Sequence, residues 1–195
     1  NAPHPGLHLF QADLYAMPFR PEHFDRVFCY GVLQHTPDVR LAFQAMVPFL
    51  KPGGEISVDV YLRSLRSYYL NPKYWLRPLT RRMDRDRLYR LVRLAIPRWI
   101  PLSNAIRRIP KVGWFLDSLV PIPNYTGWLS LTPEQVVEWA ILDTFDEFSP
   151  RYDRPQRPET VRAWFRDAGL ELTRMTVGGN MIIATGRKAP GAGAQ

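Results

Sequence analysis

An α/β fold is predicted for this chain: a parallel strand, helix and strand, closed by an antiparallel hairpin and interrupted by a mainly helical insertion. Three observations carry that expectation. First, a run of aromatic and β-branched character at residues 26–30 is followed by a helical apolar stripe and then by a second such run at residues 55–61. That order within a few dozen residues is the pattern of a parallel α/β unit. Second, two apolar runs at residues 170–177 and 181–186 flank Gly178-Gly179-Asn180, a hairpin signal. Third, residues 62–156 change character, becoming rich in proline, arginine and aromatics.

The elements follow in order. Residues 7–10 form a short apolar run, with Asp13 just past its end, and Pro18 and Pro21 break the chain next. Gly31 marks the exit from the strand at 26–30. Thr36 is expected as N-cap of the next helix, with Pro37 in the first helical position and Asp38 near the positive end of its dipole. Val39, Phe43, Met46 and Val47 fall at helical spacing, and Pro48 should kink or end the helix. Lys51-Pro52-Gly53-Gly54 reads as a tight turn into the strand at 55–61. Within the insertion, residues 84–96 form the clearest helix, with Leu88, Leu91, Val92 and Ala95 sharing a face. Thr132-Pro133-Glu134-Gln135 has the form of a capping box and should open a helix through about Leu142. Residues 158–168 carry Val161, Trp164 and Phe165 on one helical face, and Gly169 is placed to stop that helix. The Ala, Gly and Pro of residues 189–195 are expected to be disordered.

Composition narrows the function classes. The 195 residues suffice for a sizeable core, with 46% hydrophobic and 23% charged residues. No apolar run reaches the roughly 18 residues of a membrane span. The first six residues are polar and proline-rich, so no secretory signal is expected at this start, and a first residue other than Met fits a truncated or processed product. The single Cys29 excludes an internal disulfide, agrees with a cytoplasmic location and, in apolar surroundings, reads as a buried structural thiol. The net charge of +8 is concentrated: residues 63–111 hold fourteen Lys or Arg against two Asp, leaving the rest of the chain net acidic.

The residues that could carry chemistry cluster near the start. Asp13-Leu14 is followed by Met17-Pro18-Phe19; Phe24-Asp25-Arg26-Val27 leads into Cys29-Tyr30-Gly31; Val32-Leu33-Gln34-His35 precedes Pro37-Asp38. In this order, and joined by Lys51-Pro52-Gly53-Gly54 and the C-terminal hairpin, they resemble the second half of the core of class I S-adenosylmethionine-dependent methyltransferases of the type 11-like group. The resemblance implies a partial Rossmann-like methyltransferase sheet with a C-terminal antiparallel hairpin, and S-adenosylmethionine as cofactor. It covers residues 7–61 and 158–188, and the domain organisation expected from it is core at 1–61, a basic lid or substrate insertion at 62–156, core again at 157–188 and a tail at 189–195.

By that resemblance Asp13 would accept a hydrogen bond from the adenine amino group and the Leu14 N–H would donate to a ring nitrogen. Cys29, Tyr30 and Gly31, with Gln34, would face the methionine end; Gly31 suits a place of close backbone approach. Open parallel sheets also bind ligands beyond the carboxyl ends of their strands. Asp13 alone reads equally as a turn residue, and Tyr30 as a rim aromatic. His35, near neutral in its ordinary pKa, could take a proton from a hydroxyl acceptor or simply bond backbone at a helix entry. The family carries a second histidine where Gln34 stands. Its first strand, Gly-x-Gly-x-Gly loop and acidic ribose-binding residue would all lie upstream of Asn1, and Gly191-Ala192-Gly193 has no preceding strand to make it that loop.

Beyond the cofactor, the acceptor is expected to be a small molecule or lipid-like compound, contacted by Asp143, Asp146 and Tyr152. No metal is expected, since no histidine joins those carboxylates. The basic segment at 63–111 could hold an anionic substrate, lie on an anionic membrane surface, contact RNA, or pair its arginines with acids elsewhere; no RNA-binding motif accompanies it. A non-catalytic protein of the same fold, or a basic peripheral module, is the alternative. Oligomeric state is left open. Since the resemblance puts half of the cofactor site upstream, the 195-residue chain alone is expected to bind S-adenosylmethionine weakly or not at all. Calorimetry showing tight binding would overturn that expectation.

Overall fold

The computed structural model describes residues 4–69, 71–127 and 130–191. The chain divides into two compact units, Asn1–Arg63 with Tyr152–Gln195, and Ser64–Arg151.

In the first unit, β1 (Phe24–Cys29) and β2 (Leu50–Tyr61) flank helix α1 (Val39–Met46). The two strands are parallel, with Phe28 opposite Ser57 and Cys29 opposite Val58. The hairpin strands, numbered β3 (Leu170–Gly178) and β4 (Met181–Lys188) by their place in the whole chain, are antiparallel to each other, and β4 also pairs antiparallel with β2. The sheet order is therefore β1-β2-β4-β3. This is the α/β class with a closing hairpin that the pattern of runs predicts.

Period-two alternation sends Ile56, Val58 and Val60 of β2 and Ile182 and Ala184 of β4 into one core. Phe43 and Met46 of α1 join it, as do Val161, Trp164 and Phe165 of the helix Pro158–Asp167. Burying side chains of this size contributes about 1.5–3 kcal/mol each. Gly186 belongs to the same packing. A Cβ there would meet the Phe165 ring at 2.5 Å and the Glu171 carbonyl oxygen at 2.8 Å, so only glycine lets the ring lie on β4.

The apolar run at residues 7–10 forms no strand, and Leu9 is 86% exposed: an apolar run becomes a strand only where another strand pairs with its backbone. Several local expectations are corrected. Thr36 does not cap α1. Its Oγ1 donates to the Leu33 carbonyl and closes the short 3-10 turn Leu33–His35; the cap is Asp38, whose Oδ1 accepts from the Leu41 N–H. The Lys51-Pro52-Gly53-Gly54 turn lies inside β2, as an irregularity that sets Phe24 against Leu50 but Arg26 against Glu55, with Gly53 at φ 75°. Of the expected disordered tail, residues 192–195 lie outside the described residues, whereas Ala189 accepts a hydrogen bond from the Gly53 N–H at 3.2 Å.

The second unit is helical: α2 (Pro72–Thr80), α3 (Arg85–Arg107), α4 (Gly113–Ser118) and α5 (Pro133–Phe148), which leaves α6 for Pro158–Asp167 of the first. Asp84 caps α3, and the Thr132–Gln135 capping box opens α5 with both reciprocal bonds. Helix α3 runs eleven residues past Ile96, through Pro97 and Pro101, which stand on its exposed side. Its buried stripe is Leu88, Val92, Ile96 and Ile100 against Val136, Ala140 and Phe148 of α5. Leu91 and Ala95, expected on that face, are exposed, because α5 packs along the i, i+4 row. Behind it, buried Asp117 accepts from Ser103 Oγ and Arg107 Nε, and Asn124 Nδ2 donates to Ser103 Oγ at 2.7 Å. Replacing Gly186 by Ala should destabilise the sheet unit by about 1–3 kcal/mol through overpacking, measured by urea unfolding.

Candidate functional site

The carboxyl ends of β1 and β2 carry a built polar edge. Just beyond β1 the chain turns at Gly31, φ 72°, with open space where a side chain would stand. Its N–H donates to Asp59 Oδ1 at 2.6 Å. Asp59 is buried, and burial pushes its carboxyl above the usual range, while the Gly31 N–H favours the charged form and opposes part of that shift. Beside it the Tyr30 and Ser57 hydroxyls share a hydrogen bond of 2.6 Å, and Ser57 shares another with Thr185 at 2.8 Å. A hydroxyl ladder thus crosses from the end of β1 over β2 to β4.

Cys29, expected as a buried thiol, is half-buried at the end of β1. Burial, with the nearby Asp59 charge, pushes its thiol up to about 11, which disfavours the reactive thiolate.

The turn Leu33–His35 places the next two candidates. The Gln34 side chain is fully buried, and neither atom of its amide has a hydrogen-bond partner. Buried amides are normally paired, so this group is available to a ligand or water. His35 Nδ1 lies 3.0 Å from the Tyr152 carbonyl oxygen. A carbonyl only accepts, so Nδ1 carries a proton, and in the neutral ring Nε2 then holds the lone pair. Nε2 makes no hydrogen bond, and the ring stands edge-on to Tyr61, 5.7 Å between centroids. The strap that brings Tyr152 to this point is anchored at both strand and turn. Arg154 N–H donates to the Gln34 carbonyl at 2.9 Å, and Gln156 N–H to that of Tyr61 at 2.7 Å.

Asp13 is exposed and closes its own turn: Oδ1 accepts from the Tyr15 N–H at 2.9 Å. The Tyr15 hydroxyl ties this turn to the start of α1 by donating to the Asp38 carbonyl. Leu14 is half-buried against the sheet core. Asp143 and Asp146 belong to the other unit and lie on α5, not in a loop: the capping-box helix continues past Leu142 to Phe148. Asp143 accepts a hydrogen bond from Tyr125, whose hydroxyl is held well above its usual pKa by burial and that carboxylate, and Asp146 is exposed.

Sequence reasoning missed Asp59 and Ser57. Their signal was a carboxylate and a hydroxyl two residues apart in a run otherwise fit for a core strand, which puts both on one face.

Residues 1–58 match the family model described as a methyltransferase domain, a stretch that contains Asp13, Leu14, Cys29, Tyr30, Gly31, Gln34 and His35. A tRNA U34 carboxymethyltransferase of Nautilia profundicola is 39% identical over 46 residues, 24% of this chain and 15% of that protein. One from Campylobacter curvus is 34% identical over 58 residues, 29% of this chain and 20% of that protein. The matches thus span a fifth or less of these curated relatives' length. A solved S-adenosylmethionine-dependent methyltransferase of Methanosarcina mazei superposes with a TM-score of 0.47 at 12% identity, covering 92% of this chain and 66% of that one.

Asp59 generates a pH prediction. A carboxyl raised in the folded state contributes stability that is complete below its unfolded pKa of about 4 and is lost as pH rises through the folded value. Asp59→Asn keeps the Oδ1 acceptor for Gly31 and removes the charge. It should therefore be more stable than the parent at pH 7, with the gain shrinking toward pH 3.5, as followed by denaturant unfolding across that range.

Proposed function

We propose, from the match of residues 1–58 to the methyltransferase domain, that this chain is part of an S-adenosylmethionine-dependent methyltransferase. The observation that carries the reading is the edge on which that match falls: Gly31 pinned by Asp59, with the Gln34 amide and the His35 Nε2 both uncommitted. The residues fit the cofactor's edges. Open space above Gly31 allows close approach to backbone, and the buried Gln34 amide can meet the amino and carboxylate groups of the methionine end alongside Cys29 and Tyr30. Asp13 keeps Oδ2 for the adenine amino group while Oδ1 holds its turn, and the Leu14 N–H stands next in sequence for a ring nitrogen.

The cofactor supplies an electrophilic methyl group on sulfur, so the protein's share is alignment and exclusion of water. In this reading His35, its tautomer set by the Tyr152 carbonyl, takes the proton from an acceptor hydroxyl at Nε2. The acceptor is a small or lipid-like molecule. A tRNA base is the second reading, favoured by the name of both curated relatives.

The test is transfer of radiolabelled methyl from S-adenosylmethionine, by the natural polypeptide containing this chain, onto separated lipid, small-molecule and tRNA fractions. Label in the tRNA alone selects the second reading; label in none of them overturns methyl transfer. In the same assay His35→Ala should lower turnover about 10²–10⁴-fold with cofactor affinity unchanged. Unchanged turnover would remove His35 from the chemistry.

A further inference from the structure

Helix α3 carries two apolar stripes, and only one is used. Leu88, Val92, Ile96 and Ile100 are buried against α5. Leu91, Leu94 and Leu102 are 47%, 57% and 52% exposed. Their spacing puts them along one side of the helix, away from the buried stripe, and exposed Arg87 and Arg98 fall on the same side.

Helix α3 itself is strongly positive, with six Arg against the single Asp86. Three acids of this unit are engaged away from that face. Asp117 takes Arg107, Glu147 takes Lys73, and Asp84 caps α3. Arg98 turns its Nη1 back onto the Leu94 carbonyl at 2.6 Å, which leaves its charge lying beside the exposed leucines.

We propose that this face of the Ser64–Arg151 unit docks on an anionic membrane surface, the leucines entering the headgroup boundary and the arginines meeting lipid phosphates. Scattered exposed leucines need no explanation, but a stripe of them interleaved with arginines is the make-up of an interfacial helix. A nucleic acid would satisfy the arginines and leave the leucines with nothing to bury them. A second copy would bury the leucines and bring two like-charged surfaces together. A bilayer interface meets both needs. Among the described residues no helix is long and apolar enough to cross a membrane, so the contact is one of surface. The face lies wholly within one unit, and the proposal stands whether or not the sheet edge transfers methyl groups.

The experiment is sedimentation of the 195-residue chain with phosphatidylcholine vesicles, with and without about one third phosphatidylglycerol. Binding should require the anionic lipid, weaken as salt is raised, and blue-shift the tryptophan emission. Arg87→Gln with Arg98→Gln should weaken it about 25-fold, at about five-fold per charge. Leu91→Ser with Leu94→Ser should weaken it about ten-fold or more, with an unchanged circular dichroism spectrum. No binding, equal binding to neutral vesicles, or no emission shift overturns the proposal. Tighter binding to tRNA that ignores the Leu91 and Leu94 changes overturns it in favour of nucleic acid. A lipid-free dimer that those changes dissolve overturns it in favour of a second copy.

Discussion

Strand β2 must satisfy hydrogen-bonding neighbours on both of its edges, β1 running parallel and β4 antiparallel, and the two registers cannot be chosen separately. A one-residue slip on either side would turn Ile56, Val58 and Val60 out of the core and carry Ser57 and Asp59 into it. The buried faces of α1 and α6 lock the register from one side of the sheet. On the other side the same register brings Ser57 beside Thr185 and sets Asp59 where it can receive the Gly31 N–H. The polar edge is thus a consequence of how the core is packed.

A carboxylate buried at that edge costs stability unless it holds something in place. Asp59 holds the backbone of a glycine in a left-handed conformation at the exit of a parallel strand. The unpaired Gln34 amide is a second such cost a few residues on. Both polar groups, Asp59 near the end of β2 and Gln34 in the turn after β1, are kept at the expense of stability.

The helical unit solves a different problem. Its apolar cluster is built on α3 and α5, with Ile122, Tyr125 and Leu131 of the segment between α4 and α5 packed against it. The buried Ser103, Asp117 and Asn124 network, joined by Arg107, adds directional bonds between α3, α4 and that segment. Fully satisfied networks of this kind rigidify and select one arrangement.

What the sequence alone determined about this protein was decided within a few residues of chain. The capping box at Thr132, the start of α6 at Pro158, its stop at Gly169 and the Gly178-Gly179-Asn180 turn were all legible because side chain and backbone neighbours settle them locally. The parallel unit and hairpin followed from periodicity, and the resemblance located Gly31, Gln34 and His35. What only the tertiary structure decided lies between residues far apart in sequence. Gly31 and Asp59 are 28 positions apart, and His35 and the Tyr152 carbonyl that sets its tautomer are 117 apart. The cap of α1 moved from Thr36 to Asp38 because a 3-10 turn had already claimed the Thr36 hydroxyl. Residues 7–10, apolar enough for a strand, stayed irregular, because a ladder needs a partner strand and no local preference can supply one.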